Sequence, residues 1–320
     1  YEWNRLEGAV EEGEMLWQAK GSYQVDELNL LPKGSDKPMR CRTALLKTDF
    51  ANRPGNQKTG HVVINASQCW MPPLVEPWFI KPDVDPALLV KYPPSGRKYT
   101  FDLVCDHLNM PPWICGKFSG KAFSNTVENG IEEYEAHVGD GVISGSYIKN
   151  IAENAYTASN KWKDIPVELF IQHLNLPPLL DGVTTGEVQY AKDSDDPHTL
   201  NGAGRFSITQ GQFNADYLIH EFQHQLSGDA SQLPPSLRFT TLSTDVEFER
   251  DVVHTPTLKL ESEGIVIEAQ GSFVSGGDMD YAISIALAPQ YAESIPVLKQ
   301  YLNISGYRIA QQDIRLAFTL

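Results

Sequence analysis

Across residues 182–288 the chain repeats one theme, a short alternating run that ends at a glycine, and that rhythm admits little besides a β-sheet. The clearest run is Met279-Asp-Tyr-Ala-Ile-Ser-Ile-Ala-Leu287. Met279, Tyr281, Ile283, Ile285 and Leu287 alternate there with Asp280, Ala282, Ser284 and Ala286. Successive side chains of a strand point to opposite faces, so one face is bulky and apolar and the other small and polar. Earlier runs carry Phe206 and Ile208, then the stretch from Phe239 to Phe248, then Leu258 and Leu260, then Ile265 and Ile267. Such a series builds a surface, and it does not build a compact catalytic pocket.

The middle of the chain repeats on a longer scale. Phe101-Asp-Leu-Val-Cys-Asp-His-Leu-Asn-Met-Pro-Pro112 returns 66 residues later as Val167-Glu-Leu-Phe-Ile-Gln-His-Leu-Asn-Leu-Pro-Pro178. Leu103, His107, Leu108, Asn109, Pro111, Pro112, Gly116 and Gly120 all recur without a gap. Fainter copies are Val62-Val-Ile-Asn-Ala-Ser-Gln-Cys-Trp-Met-Pro-Pro73 and Gln24-Val-Asp-Glu-Leu-Asn-Leu-Leu-Pro32. Each unit reads as a strand, a proline stop, a bend and a second strand entered through glycine, because proline cannot donate to a ladder and glycine turns freely. Units of this kind cannot bury their apolar faces alone and stack side by side. His107 and His173 share one slot of the repeat and read as polar strand-end residues rather than ligands.

Bulk properties remove several classes of function. With 320 residues and 41% hydrophobic content, the chain fills one large or two ordinary domains. A formal charge of −15 and the lack of a basic cluster argue against nucleic acid or an anionic membrane surface as the main partner. No run of 18 apolar residues offers a membrane-spanning helix. The start at Tyr1 reads as a mature product, with any signal or anchor lying upstream. Cys41, Cys69, Cys105 and Cys115 form no CxxC, so a zinc ribbon or thioredoxin-type site is not expected; their even number allows two disulfides in an oxidising compartment.

The order of pieces after residue 182 resembles the C-terminal region of the AsmA-like family of Gram-negative envelope proteins. The matching parts are Leu200-Asn-Gly-Ala-Gly with Phe206-Ser-Ile-Thr-Gln-Gly211, a short helix-like stretch, the run from Phe239 to Phe248, Leu258-Lys-Leu, and Gly271-Ser-Phe-Val-Ser-Gly-Gly-Asp-Met-Asp-Tyr-Ala-Ile-Ser-Ile. About a third of the chain carries the likeness, through loose patterns of glycine and alternation. It implies a protein anchored in the inner membrane with its bulk in the periplasm. It also implies a long curved β-sheet with an apolar groove and a part in lipid movement and outer-membrane integrity.

One motif points elsewhere. His220-Glu-Phe-Gln-His224 spells H-E-x-x-H, in which two histidines four apart on a helix hold zinc and Glu221 serves as general base. At 100° per residue, however, Leu218, Ile219, Phe222 and Leu226 share one face and His220 and His224 take the other, as on a solvated amphipathic helix. Gly228 comes one place late for the extended zinc motif, and the third ligand would have to be Glu247 or Glu249 on a predicted strand. No nucleophile elbow, P-loop or dinucleotide fingerprint occurs. The acidic cluster Asp193-Ser-Asp-Asp-Pro-His198 lacks calcium-loop spacing. Trp70, Trp78, Trp113 and Trp162 flank repeat turns and read as packing residues.

The expected fold is mostly β: an elongated, curved, mainly antiparallel sheet of repeating units, with an apolar groove and one or two short helices at 214–226 and 290–302. Residues 1–181 form the repeat-containing part and 182–320 the AsmA-like part, as one continuous sheet. The groove is lined by Phe206, Ile208, Leu258, Leu260, Ile265, Ile267, Met279, Tyr281, Ile283, Ile285 and Leu287. The expected function is a non-enzymatic periplasmic one, binding or conducting lipid acyl chains, with no cofactor and no metal. A zinc metallopeptidase and a purely structural or adhesive envelope module are the alternatives.

Overall fold

The computed structural model describes residues 2–11, 14–30, 38–53, 57–71, 98–110, 113–125, 127–173, 180–193, 199–214, 236–274, 279–288 and 314–319. Among them are seventeen strands and one short helix, so the chain is mostly β, and the pairing is mainly antiparallel, as the alternation predicts. The chain divides into two compact units, residues 1–161 with 191–199, and residues 162–190 with 200–320. The expected boundary at 181/182 falls inside a strand, β11 (Leu180–Lys192).

The first unit begins with β1 (Glu2–Glu11), β2 (Glu14–Leu30), β3 (Met39–Arg53) and β4 (Gln57–Trp70), each antiparallel to the next. β5 (Lys98–Met110) lies parallel to β4. It pairs antiparallel with β6 (Trp113–Cys115) at one end and with β7 (Phe118–Ser124) at the other. β8 (Glu128–Val138) and β9 (Gly141–Asn150) continue the antiparallel series. The first half of β10 (Ala155–Pro166) follows, with Tyr156 packed on Tyr147 at 5.4 Å between ring centres.

A shared irregularity organises β2 to β5. The ladders pair Val25 with Ala44, Ala44 with Ala66 and Ala66 with Cys105, and then pair Leu28 with Cys41, Cys41 with Cys69 and Cys69 with Leu108. Three residues, not two, separate these levels on every strand. Two consecutive side chains therefore turn outward: Asp26 and Glu27, Arg42 and Thr43, Ser67 and Gln68, Asp106 and His107. Such a phase break is a bulge, which bends its strand and raises its twist. On β3 the break falls on a left-handed residue, Thr43, with φ 46°. The Ser67 hydroxyl donates to the Arg42 carbonyl across it at 3.1 Å. Because all four strands break at one level, the inward rows stay in phase, and Cys41, Ile64, Cys69, Cys105 and Leu108 are buried there.

The internal repeat is this level seen in sequence. The copies ending at Pro32, Pro73 and Pro112 fall on β2, β4 and β5, and those at Val62 and Phe101 stand in register along the parallel pair. The fourth copy departs from expectation, because Val167–His173 is a helix, α1. Pro166 stands before it where Thr100 stands before the β5 copy. Proline cannot extend a ladder but is pre-set for a helix start, and Glu168 in the first turn favours the positive end of the helix. The β5 copy instead opens on Tyr99, Thr100 and Phe101, all strand formers. The helices expected at 214–226 and 290–302 lie outside the described residues, apart from Asn214, which ends β12 (Leu200–Asn214).

In the second unit β12 opens an antiparallel meander: β13 (Ser236–Glu249), β14 (Val252–Ser262), β15 (Ile265–Val274), β16 (Met279–Leu287) and β17 (Ile314–Thr319). Two-residue turns join β13 to β14 and β14 to β15, with φ 57° at Arg250 and 74° at Gly264; left-handed turns of this length match the twist of the strands they join.

Glycines inside strands are covered by rings from neighbouring strands. Gly60 lies between its partners Phe50 and Tyr99, with both rings 2.7 Å from where a Cβ would stand. Gly211 carries the Phe239 ring, and Gly271 the Tyr281 ring, on the same principle. At Gly271 a Cβ would also collide with the Asp280 backbone carbonyl. Gly271→Val is therefore expected to cost about 1–3 kcal/mol in urea unfolding, the usual range for overpacking. Gly116→Ala, where a Cβ meets nothing nearer than 3.8 Å, is expected to change stability by less than about 1 kcal/mol. Equal effects at the two sites would contradict the ring-over-glycine account.

Candidate functional site: the apolar face of the second unit

Residues directly opposite in an antiparallel ladder share a face, so the printed registers of the second unit can be followed from strand to strand. One row runs Ile208, Leu242, Leu260, Ile267, Ile285. The next runs Phe206, Thr244, Leu258, Ala269, Ile283. Ser262, Ile265 and Leu287 form a third line of partners, and Gly271 with Tyr281 and Phe273 with Met279 complete the β15–β16 pair on the same side. All eleven residues expected to line a groove thus fall on a single face. Met279 and Leu287 are placed there by register.

The face is covered unevenly. Near β12 it is closed by α1: Val167 packs in a buried cluster with Ile208, Phe239 and Leu260, and Leu180, Phe206, Leu242 and Ile267 lie against it. Phe170 of α1 rests on Trp162 at 5.4 Å between ring centres, and the Trp162 indole donates to Thr184 Oγ1 at 3.1 Å. The sequence pattern places Trp162 beside a repeat turn and signals neither this helix nor its anchor. Toward β15 and β16, Ile265, Ile267, Tyr281, Ile283 and Ile285 are only half-buried, and Phe273 keeps 36% of its surface exposed. One polar pair interrupts the apolar surface, Thr255 Oγ1 and the Tyr281 hydroxyl at 2.9 Å.

The opposite side is polar. Arg205 meets Glu187 at 2.6 Å, Thr257 donates to Asp245 at 2.7 Å, and Lys259 pairs with Glu261 at 2.5 Å. Glu247 stands here too, opposite Ala203 and His254. A depression of about 420 Å³ lies around Glu187, Arg205, Asp245 and Thr257 and is open to solvent. Exposed pairs of this kind contribute little energy and serve solubility.

In the first unit the outward face holds a hydroxyl, an imidazole and a carboxylate in line. His61 Nδ1 is 2.6 Å from Thr100 Oγ1, and Nε2 is 3.5 Å from Asp102 Oδ2. The neighbours are Lys20 with Asp49 and Lys121 with Glu133. A hydrogen bond from Gln18, aided by Lys20, holds the Asp49 carboxyl below its usual value. The arrangement is a ladder of charges across strands, half open to water, and lacks the enclosure that activates a nucleophile. His107 is exposed beside Gln68 at the bulge level, as a polar strand residue. His220, Glu221 and His224 lie outside the described residues, and among those described no group of three metal-binding side chains converges.

Cys41 and Cys69, direct partners across β3 and β4, form a disulfide. Cys105 and Cys115 are buried thiols. Burial, with Cys115 close by, pushes the Cys105 thiol up to about 12, and burial raises Cys115 as well, so both stay protonated and inert near neutral pH. The folded state gains from this below the ordinary thiol value of 9.0 and loses that gain as pH climbs toward 12.

Comparison of the chain with models of known families, with characterised proteins and with solved structures finds no significant match.

The uneven cover yields a contrast that unfolding can read. Ile208→Ala, at a side chain 1% exposed, is expected to cost about 2–5 kcal/mol. Ile283→Ala, on the half-open part of the face, is expected to cost less than half as much. In the folded chain iodoacetamide is expected to leave Cys105 and Cys115 unlabelled near neutral pH; labelling at the rate of a free thiol would refute their burial.

Proposed function

We propose that this chain is a non-enzymatic lipid-binding protein of the Gram-negative envelope, holding or passing acyl chains along the apolar face of β12 to β16. The observation that carries this reading is the register, which gathers eleven largely apolar residues on one face, where Ile265, Ile267, Tyr281, Ile283 and Ile285 are only half-buried. An apolar sheet face must be covered by something. Each methylene taken out of water contributes about 0.8 kcal/mol, so eight laid along these rows supply about 6 kcal/mol before the cost of ordering the chain. Binding of this kind needs no reactive group. The Cys41–Cys69 bond supports an oxidising compartment such as the periplasm. The likeness of the region after residue 182 to AsmA-like proteins points the same way, toward lipid movement and outer-membrane integrity.

The test is native mass spectrometry of the purified chain, with organic extraction and metal analysis of the same sample. Co-purified phospholipid is expected, and the Ile283→Asp/Ile285→Asp double variant is expected to lose at least tenfold of it while keeping its β-type circular dichroism. Stoichiometric zinc without lipid would instead favour a metallopeptidase through His220, Glu221 and His224. Absence of both would leave a structural or adhesive module.

A further inference from the structure

Four cysteines can pair in three ways, and the Cys41–Cys69 bond leaves one partner for each of the others. We infer that Cys105 and Cys115 close a second disulfide when the chain folds in an oxidising compartment, so that the dithiol seen here is its reduced form. Both side chains belong to the same buried face as Cys41 and Cys69, at the level where β2 to β5 share their bulge, and they are 0% and 3% exposed. Cys115 stands opposite Leu108, and Cys105 opposite Phe118. The bulge at Asp106 and His107 makes Cys105 and Leu108 adjacent on that face, so the two cysteines are diagonal neighbours across one hairpin. Cys115 lies close enough to add to the burial that keeps Cys105 protonated.

An ordinary diagonal, offset by two residues, spans about 7–8 Å, and a disulfide allows about 7 Å between Cα atoms; here the offset is three residues, so closure requires one strand to stand nearer the other. The strand placed to do so is β6. This strand has three residues, is preceded by Pro111-Pro112, and runs into a bend at Gly116-Lys117. Gly116 is loosely surrounded, with nothing within 3.8 Å of a would-be Cβ. In the folded chain a slide of β6 would have to exchange its ladder to β5 and the Gly116 N–H bond to the His137 carbonyl at 2.7 Å, so closure belongs to folding, before those bonds form.

The chemistry is thiol–disulfide exchange with a disulfide oxidant, either a small molecule or an oxidoreductase. One cysteine thiolate attacks the oxidant and forms a mixed disulfide, releasing one oxidant thiolate. The second cysteine attacks that bond, closes Cys105–Cys115 and releases the other. Two thiols lose two electrons and two protons, and the oxidant becomes two thiols. Exchange takes place during folding, before the face is covered.

To test this, the chain is secreted into an oxidising compartment, unfolded without reductant in the presence of iodoacetamide, and mapped by peptide mass spectrometry. A Cys105–Cys115 cross-linked peptide is expected, with no alkylated cysteine. Alkyl groups on Cys105 and Cys115, or a link from either to Cys41 or Cys69, would overturn the inference. In a Cys41→Ala/Cys69→Ala variant the remaining pair is expected to stay protected from label, and labelling of both overturns it equally. Should that variant fail to fold, the map of the unaltered chain decides alone.

Discussion

The phase of the alternation is the constraint on which the rest depends. A lone skip in one strand would turn every later side chain to the wrong face. Here β2, β3, β4 and β5 skip together, at Asp26, Thr43, Ser67 and Asp106, so the inward rows resume in step beyond the bend. The buried cysteines, Ile64 and Leu108 sit inside that level, while the unpaired outward positions carry charge or hydroxyls. The second unit repeats the device on β12, where Thr209 and Gln210 both turn out between buried Ile208 and Gly211, with φ 53° at Gln210.

Once phase is kept, each ladder position has a fixed side, and the two sides take opposite chemistry. Large rings on the inner side leave room only for glycine at some of their cross-strand partners, as at Gly60 and Gly271. On the outer side charges of opposite sign face each other across strands, as Arg205 and Glu187 do. This separation gives the sheet a polar surface on one side and an apolar one on the other.

Much of this was legible because alternation is a direct print of burial. The bulky set from Met279 to Leu287 is read from the sequence alone, and so is its match to Ile265 and Ile267 on the preceding run. The phase breaks leave a print as well, an apolar residue followed by two polar ones and a second apolar, as in Cys105-Asp-His-Leu108. That print is short enough to pass for ordinary irregularity, and only its recurrence in the repeat copies sets it apart. The α1 copy was not legible, because the pattern that makes a strand in β5 makes a helix after Pro166, where Trp162, Ile208 and Leu260 offer it a surface. Register, which sets the cysteine partners, depends on which strands meet and is not written in any one of them.

The parallel step from β4 to β5 has a consequence for how the chain can change length. It makes β2, β4 and β5 run the same way, so their repeat copies finish side by side at Leu30, Trp70 and Met110. The connections that leave from there are of very different size, from the two prolines after Met110 to the 27 residues between Trp70 and Lys98. One border of the unit thus gathers connections of unequal length, each beginning at or next to proline, which cannot donate to a ladder. A change of length in these connections leaves the register of β2 to β5 as it is, because that register is set within the strands.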